Sequence, residues 1–154
     1  MARRRPDAIL AFTDGACSGN PGPAGIGVVL VCGNYRKEIS AYIGEATSNI
    51  AELSAVVRAL STIKDRNRHV IVHSDSEYTD RVLTKKWKIR ANKDLIEQAR
   101  ELTETFANLR FEWIPGHAGI AENERCDVLA RAAIQTARFA THSFGARSRR
   151  PSQI

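Results

Sequence analysis

The chain has 154 residues, 43% of them hydrophobic and 26% charged, and its 23 basic and 17 acidic side chains give a formal net charge of +6. That balance describes one soluble globular domain, long enough to bury a core, and it excludes a membrane-spanning protein, because no apolar run approaches the ~20 residues a span needs. The apolar stretch behind Met1-Ala2-Arg3-Arg4-Arg5 lasts only from Ala8 to Phe12, too short for a secretory leader, so the expected compartment is the cytoplasm, with Cys17, Cys32 and Cys126 reduced and lacking the spacing of a zinc site.

Residues 1–7 read as a basic extension. The apolar run Ile9-Leu10-Ala11-Phe12 predicts a first strand from about Ala8 to Thr13 that ends at a carboxylate, Asp14. Gly15, Gly19, Gly22 and Gly25, interleaved with Pro21 and Pro23, then predict a turn segment that another backbone, a phosphate or an ion can approach closely. A second apolar run, from about Gly25 to Val31, follows too soon for a crossover helix and should pair antiparallel with the first. Gly33-Asn34 is a hairpin signal, so a third strand should return over Arg36 to Ile43. Ile50, Leu53, Val56, Val57, Leu60 and Ile63 then keep a 3.6-residue period, with Thr47, Ser48 or Asn49 available as the cap. Glu52 sits one turn before Val56, so its carboxylate projects along the apolar face of that helix.

His69 to Asp75 repeats the logic of the first strand, an apolar run closed by a carboxylate. A helix precedes it, which implies a crossover and a parallel neighbour; if that neighbour is the first strand, Asp14 and Asp75 lie side by side at the carboxyl edge of the sheet. A short helix over about Ser76 to Leu83 leads into Arg81, Lys85, Lys86, Lys88, Arg90 and Lys93, a stretch with no acid and with Trp87 inside it. Cations around an indole suggest a nucleic-acid track. A helix over Asp94 to Ala107, a strand over Leu109 to Ile114, the loop Gly116 to Ile120 and a last helix over about Glu122 to Arg138 complete the body, with Asp127 at the edge of the last helix's apolar stripe. Residues 139–154 read as a basic, flexible tail. Residues 6–127 hold 15 basic and 17 acidic side chains, so the positive excess sits at the two ends. Such ends are either solubilising or contacts for a polyanion.

Two carboxylates at strand ends and two on apolar-edged helix positions, Glu52 and Asp127, would repel one another unless a divalent cation neutralised them. Oxygen donors alone select Mg²⁺, or Mn²⁺ in its place, over zinc or copper. Two such ions about 4 Å apart activate water and stabilise a leaving oxygen in phosphodiester hydrolysis. Spacing leaves His117 either a solvated loop histidine or a proton shuttle beside the ions.

Phe12-Thr13-Asp14-Gly15, Asn49 to Leu53, Ser74-Asp75-Ser76, and Gly116-His117-Ala118-Gly119 with Glu122 to Ala130 resemble type 1 ribonuclease H, the bacterial ribonuclease HI, over roughly residues 8–137. The resemblance implies an α/β fold, a five-stranded mixed sheet of order 3-2-1-4-5 flanked by helices, with the domain spanning 8–138. It implies a monomeric, Mg²⁺-dependent endonuclease that cuts the RNA strand of RNA–DNA hybrids with two ions in the substrate complex, leaving 5′-phosphate and 3′-hydroxyl ends. Asp14, Glu52, Asp75 and Asp127 match the metal-binding acids, and His117 the mobile histidine. Cys17, Asn20 and Asn49 match positions that meet the RNA strand, where 2′-hydroxyls distinguish RNA from DNA, and Thr47 a position near a DNA phosphate.

The chain departs from that pattern in three places. Ser48 replaces an expected asparagine, shortening a minor-groove contact. Glu77 replaces an expected glutamine, adding a negative charge near the scissile strand. Only Thr84 to Lys93 stands where many bacterial members carry a long basic handle, so Lys85, Lys86, Trp87 and Lys88 become the candidate remnant of that contact. Two other readings compete: a fold-sharing transposase, integrase or junction resolvase, against which the His117 loop, Cys17 and Asn20 argue, and a non-catalytic hybrid binder, against which the four acids argue.

Overall fold

A computed structural model describes residues 7–115 and 119–142 of the chain. Its elements are β1 (Ile9–Cys17), β2 (Gly22–Cys32), β3 (Tyr35–Ala46), α1 (Ser48–Thr62), β4 (Val70–Ser74), α2 (Glu77–Thr79), a π-helical turn over Asp80–Thr84, α3 (Lys93–Glu104), β5 (Leu109–Trp113) and α4 (Ala121–His142). The strands form one sheet of order β3-β2-β1-β4-β5. The β1–β2 and β2–β3 pairs are antiparallel, whereas β4 runs parallel to both β1 and β5. The mixed sheet and its order agree with the sequence-based expectation. Among the described residues, no helix is long and apolar enough to cross a membrane.

The main core lies between the sheet and the α1/α3 layer, where Leu53, Val56 and Leu60 of α1 and Ile96 and Ala99 of α3 pack with Ala11, Val28, Val70 and Val72. The 3.6-residue stripe read from Ile50 to Ile63 supplies that face of α1, and Thr47 is the cap, its hydroxyl accepting from the Ile50 N–H at 3.2 Å. Leu53 and Leu60 are fully buried, so truncating either to alanine would cost about 2–5 kcal/mol. The opposite sheet face carries α4, where Cys126 and Leu129 pack on Phe12 and Val29.

Several boundaries differ from expectation. β1 does not stop at Asp14 but continues to Cys17, paired throughout with β2, which itself starts at Gly22. The glycines at 15 and 25 therefore lie in strands, and the turn is confined to residues 18–21. The helix expected over Ser76 to Leu83 is a three-residue α-turn that widens into the π-helical turn. α4 runs to His142, so residues 139–142 are helical and not part of a flexible tail. The rest of that tail, the first six residues and His117 lie outside the described residues.

Candidate active site

Parallel pairing between β1 and β4 ends at Phe12 and His73, whose rings stack at 4.5 Å, while β1 continues beside β2. The two strands part beyond that point, and each carries an acid there: Asp14 on β1, opposite Gly27, and Asp75 just after β4. Gly15 lets a third acid in. A Cβ at that position would run into the backbone of Ala51 and Glu52, so β1 and α1 touch where only a glycine fits. That contact brings Glu52 to Asp14 and Asp75, and ligand atoms of the three carboxylates lie within 4.8 Å of one another.

Burial dominates the electrostatics of this cluster. Asp14 is 7% exposed, and desolvation, then the charge on Asp75, raises its carboxyl to about 7. The Gly15 N–H, donating to Asp14 Oδ1 at 2.9 Å, opposes that rise only in part. Glu52 is raised further, by burial first and then by the charges on Asp14 and Asp75. The two carboxyls are close enough to share a proton, which favours the neutral form of Glu52 and the ionised form of Asp14. Glu52 Oε2 is buried without a hydrogen-bond partner among the described residues. An orphaned carboxylate oxygen among crowded acids fits a hard divalent cation, which would supply the missing partner and cancel the repulsion.

The fourth acid is placed by a second glycine contact. A Cβ on Gly27 would collide with the carbonyl of Cys126, so α4 sits directly on β2 across from Asp14. Cys126 is fixed there, its thiol donating to Phe12 O at 3.2 Å, and burial pushes that thiol up to about 12, which leaves it inert. Asp127, the next residue, is near enough for its charge to raise Asp14. It nevertheless stands outside the three-carboxylate cluster and pairs with Arg131, whose Nε lies 3.2 Å from Oδ1 and 3.1 Å from Oδ2.

Around these acids the candidate substrate residues form two groups. Cys17 is tied into the turn, its Sγ within reach of the carbonyls of Gly19, Gly22 and Ala46, to one of which its single S–H donates. Asn20 clamps the same turn to the start of α1: its Nδ2 donates to Ser48 Oγ at 3.2 Å and its Oδ1 accepts from Ser48 N at 3.0 Å. Asn49 is exposed beside them. The second group lies past the π-helical turn, where Lys85, Lys86, Trp87 and Lys88 are all exposed. Arg100 anchors this segment by donating to Val82 O and Trp87 O, both at 3.0 Å. Arg81 stacks its guanidinium 5.0 Å from the Trp87 ring centre and pairs with Glu77 at 3.3 Å. The extra negative charge of Glu77 is thus offset by its own neighbour instead of facing the cleft alone. Sequence reading missed Arg81, Arg100 and Arg131 as organisers, although the spacing of four in Glu77–Arg81 and Asp127–Arg131 marks two of those pairs.

A family profile described as RNase H matches residues 6–135. A ribonuclease H from Desulforamulus reducens is 45% identical over 139 residues, covering 81% of this chain and 86% of the relative. The crystal structure of RNase H1 from the halophilic archaeon Halobacterium salinarum NRC-1 superposes with a TM-score of 0.72 at 36% identity, covering 84% of this chain and 98% of that one. LC11-RNase H1, solved in complex with an RNA/DNA hybrid, gives the same TM-score of 0.72 and 36% identity over 84% of this chain and 99% of its own.

Proposed function

The chain belongs to the ribonuclease H family, as a type 1 enzyme, and on that premise we propose that it hydrolyses the RNA strand of RNA–DNA hybrids endonucleolytically, leaving 5′-phosphate and 3′-hydroxyl ends. The observation that carries the reading is the packing of Asp14, Glu52 and Asp75, with Glu52 Oε2 buried and without a hydrogen-bond partner among the described residues. The similarity to LC11-RNase H1, solved with an RNA/DNA hybrid, supports the choice of substrate.

Asp14, Glu52 and Asp75, joined by Asp127, would hold two Mg²⁺ ions in the substrate complex, with Mn²⁺ able to replace them. When bound, the ions supply charge neutralisation and Lewis-acid activation at the scissile phosphate. The chain's own groups do the rest. Burial of Asp14 and the Gly15 contact hold the Asp14 and Glu52 carboxylates in place before substrate arrives, so those two need little reorganisation at the moment of reaction. His117, four residues ahead of α4 in the chain, relays a proton between the reacting phosphate and solvent. Cys17, Asn20, Ser48 and Asn49 present hydrogen-bonding groups to the 2′-hydroxyl face of the RNA, and Thr47 lies by a DNA phosphate. Lys85, Lys86 and Lys88 meet phosphates while Trp87 packs on sugar or base.

The decisive experiment incubates end-labelled RNA–DNA, RNA–RNA and DNA–DNA duplexes of one sequence with the protein, with Mg²⁺ or with chelator. Internal cuts confined to the RNA of the hybrid, and lost with chelator, support the reading. Cleavage of the DNA duplex would transfer the chain to the fold-sharing DNA enzymes.

A further inference from the structure

We propose that Arg131 holds the Asp127 carboxylate aside, so that a divalent cation must compete with the guanidinium for it. The inference rests on the metal reading above. Three acids form a cluster without help, whereas both Asp127 oxygens face the Arg131 guanidinium, at 3.2 Å and 3.1 Å. The two residues lie one turn apart on α4, on a face where water reaches both: the side chains are 41% exposed at Asp127 and 70% at Arg131. Asp127 is close to the cluster, since its charge contributes to the rise of Asp14. The Gly27 seat packs the α4 backbone tightly against β2, so the side chain of Asp127 is the part freest to turn.

An exposed pair at this spacing is a weak latch, worth about a factor of two in the competition. A guanidinium stays charged at any working pH. When Asp127 turns to a cation, the positive charge of Arg131 is left without its partner near that cation and opposes it. The Asp14–Glu52–Asp75 cluster therefore takes a first ion unaided, and a second one must draw Asp127 off Arg131. Arg131 is a positioning residue, acting through Asp127 and keeping the second cation weakly held until a substrate phosphate shares the load.

The test is calorimetric titration of Mg²⁺ into the full, substrate-free chain carrying Arg131, Arg131→Ala or Arg131→Lys, each with Asp127 and with Asp127→Asn. Melting temperatures along a Mg²⁺ series give a second readout independent of cleavage. With Asp127 present, Arg131→Ala should tighten Mg²⁺ binding about 2- to 10-fold and Arg131→Lys should stay within about 2-fold of the parent. With Asp127→Asn the gain from Arg131→Ala should be smaller by about 2-fold, the share that belongs to the latch, leaving only the loss of a nearby positive charge. Unchanged or weaker binding in Arg131→Ala overturns the proposal, as does an equal gain in both backgrounds, which would make Arg131 a general positive charge. If the unsubstituted chain binds no Mg²⁺ at all, the metal reading falls and this inference with it. Normal Mg²⁺ binding that is indifferent to Arg131 refutes the latch alone.

Discussion

Asp14→Asn separates the catalytic demand on the carboxylate cluster from its structural burden. In the metal-free protein Asp14 has a carboxyl raised from 3.8 to about 7 by burial and by Asp75. The folded state therefore binds a proton more tightly than the unfolded chain does. Below pH 3.8 both states are protonated and the group is neutral to stability. As pH rises, the unfolded chain ionises freely while the native carboxyl resists, so stability falls until the native pKa is passed, and above about 7 the penalty is complete. That rise, at about 1.36 kcal/mol for each tenfold change in proton affinity, sets the penalty at up to about 4 kcal/mol. Asparagine keeps an oxygen for the Gly15 N–H but carries no charge, so it escapes the penalty. Thermal melts in chelator from pH 4 to pH 8 are the assay. At about 2–4 °C per kcal/mol for a chain of this size, the variant should match the parent at pH 4 and melt several degrees higher at pH 8. Saturating Mg²⁺ should reverse the order, because ions stabilise only the native acidic site. A variant that melts lower than the parent at pH 8 in chelator, or by a constant offset at every pH, refutes the repulsion argument.

Gly27→Ala should destabilise by about 1–3 kcal/mol, because its methyl meets the fixed carbonyl of Cys126; denaturant melts measure the loss, and cleavage should fall at temperatures where the variant is still folded, since Asp127 moves with α4. His117→Ala should keep its melting temperature and lose about 10²- to 10⁴-fold in turnover, with wild-type turnover returning it to a plain loop residue. Removing residues 143–154, which hold Arg147, Arg149 and Arg150, should raise KM on long hybrids with kcat little changed and make the salt dependence of binding shallower by up to ~0.9 in log–log slope per lost phosphate contact. An unchanged slope would mark the tail as solubilising.

The order of elements was legible because each apolar run carries one periodicity. Continuous apolar runs give β1 and β2, the Gly33-Asn34 turn returns β3, the 3.6-residue stripe gives α1, and the crossover makes β4 parallel to a neighbour in the sheet, which is β1. Glycine was the ambiguous letter. Gly15 and Gly25 read as turn formers beside Pro21 and Pro23, yet they lie inside strands because α1 and α4 press on them, and a helix crossing a strand leaves no local signature. The site was legible to the same depth. Asp14, Asp75 and Glu52 follow from strand ends and a helix face, as neighbours in the sheet and the layer above it. The separate pairing of Asp127 is a matter of side-chain rotation on an exposed turn, where the spacing to Arg131 permits a pair without demanding one. The boundary between Ser76 and Thr84 was not legible because its wide turn is set by Ser76 capping and by Arg100 reaching back from α3.

The early end of the β1–β4 ladder makes the cleft mechanically unequal. Asp14 rides on a strand still bonded to β2 up to Cys17, so its backbone behaves as an anvil. Asp75 follows the last residue of β4, past the β1 ladder; Ser74 O still accepts from Ile114 N at 2.8 Å on the β5 side, and beyond it a short turn takes over, with Ser74 Oγ accepting from Ser76 N at 3.1 Å and Ser76 Oγ from Thr79 N at 3.1 Å. Whatever adjustment the acids make as they close on a common guest is therefore taken up on the Asp75 side, like a jaw against a fixed block. Backbone amides of residues 75–79 should report that closure in exchange or relaxation measurements, while those of residues 12–16 stay silent.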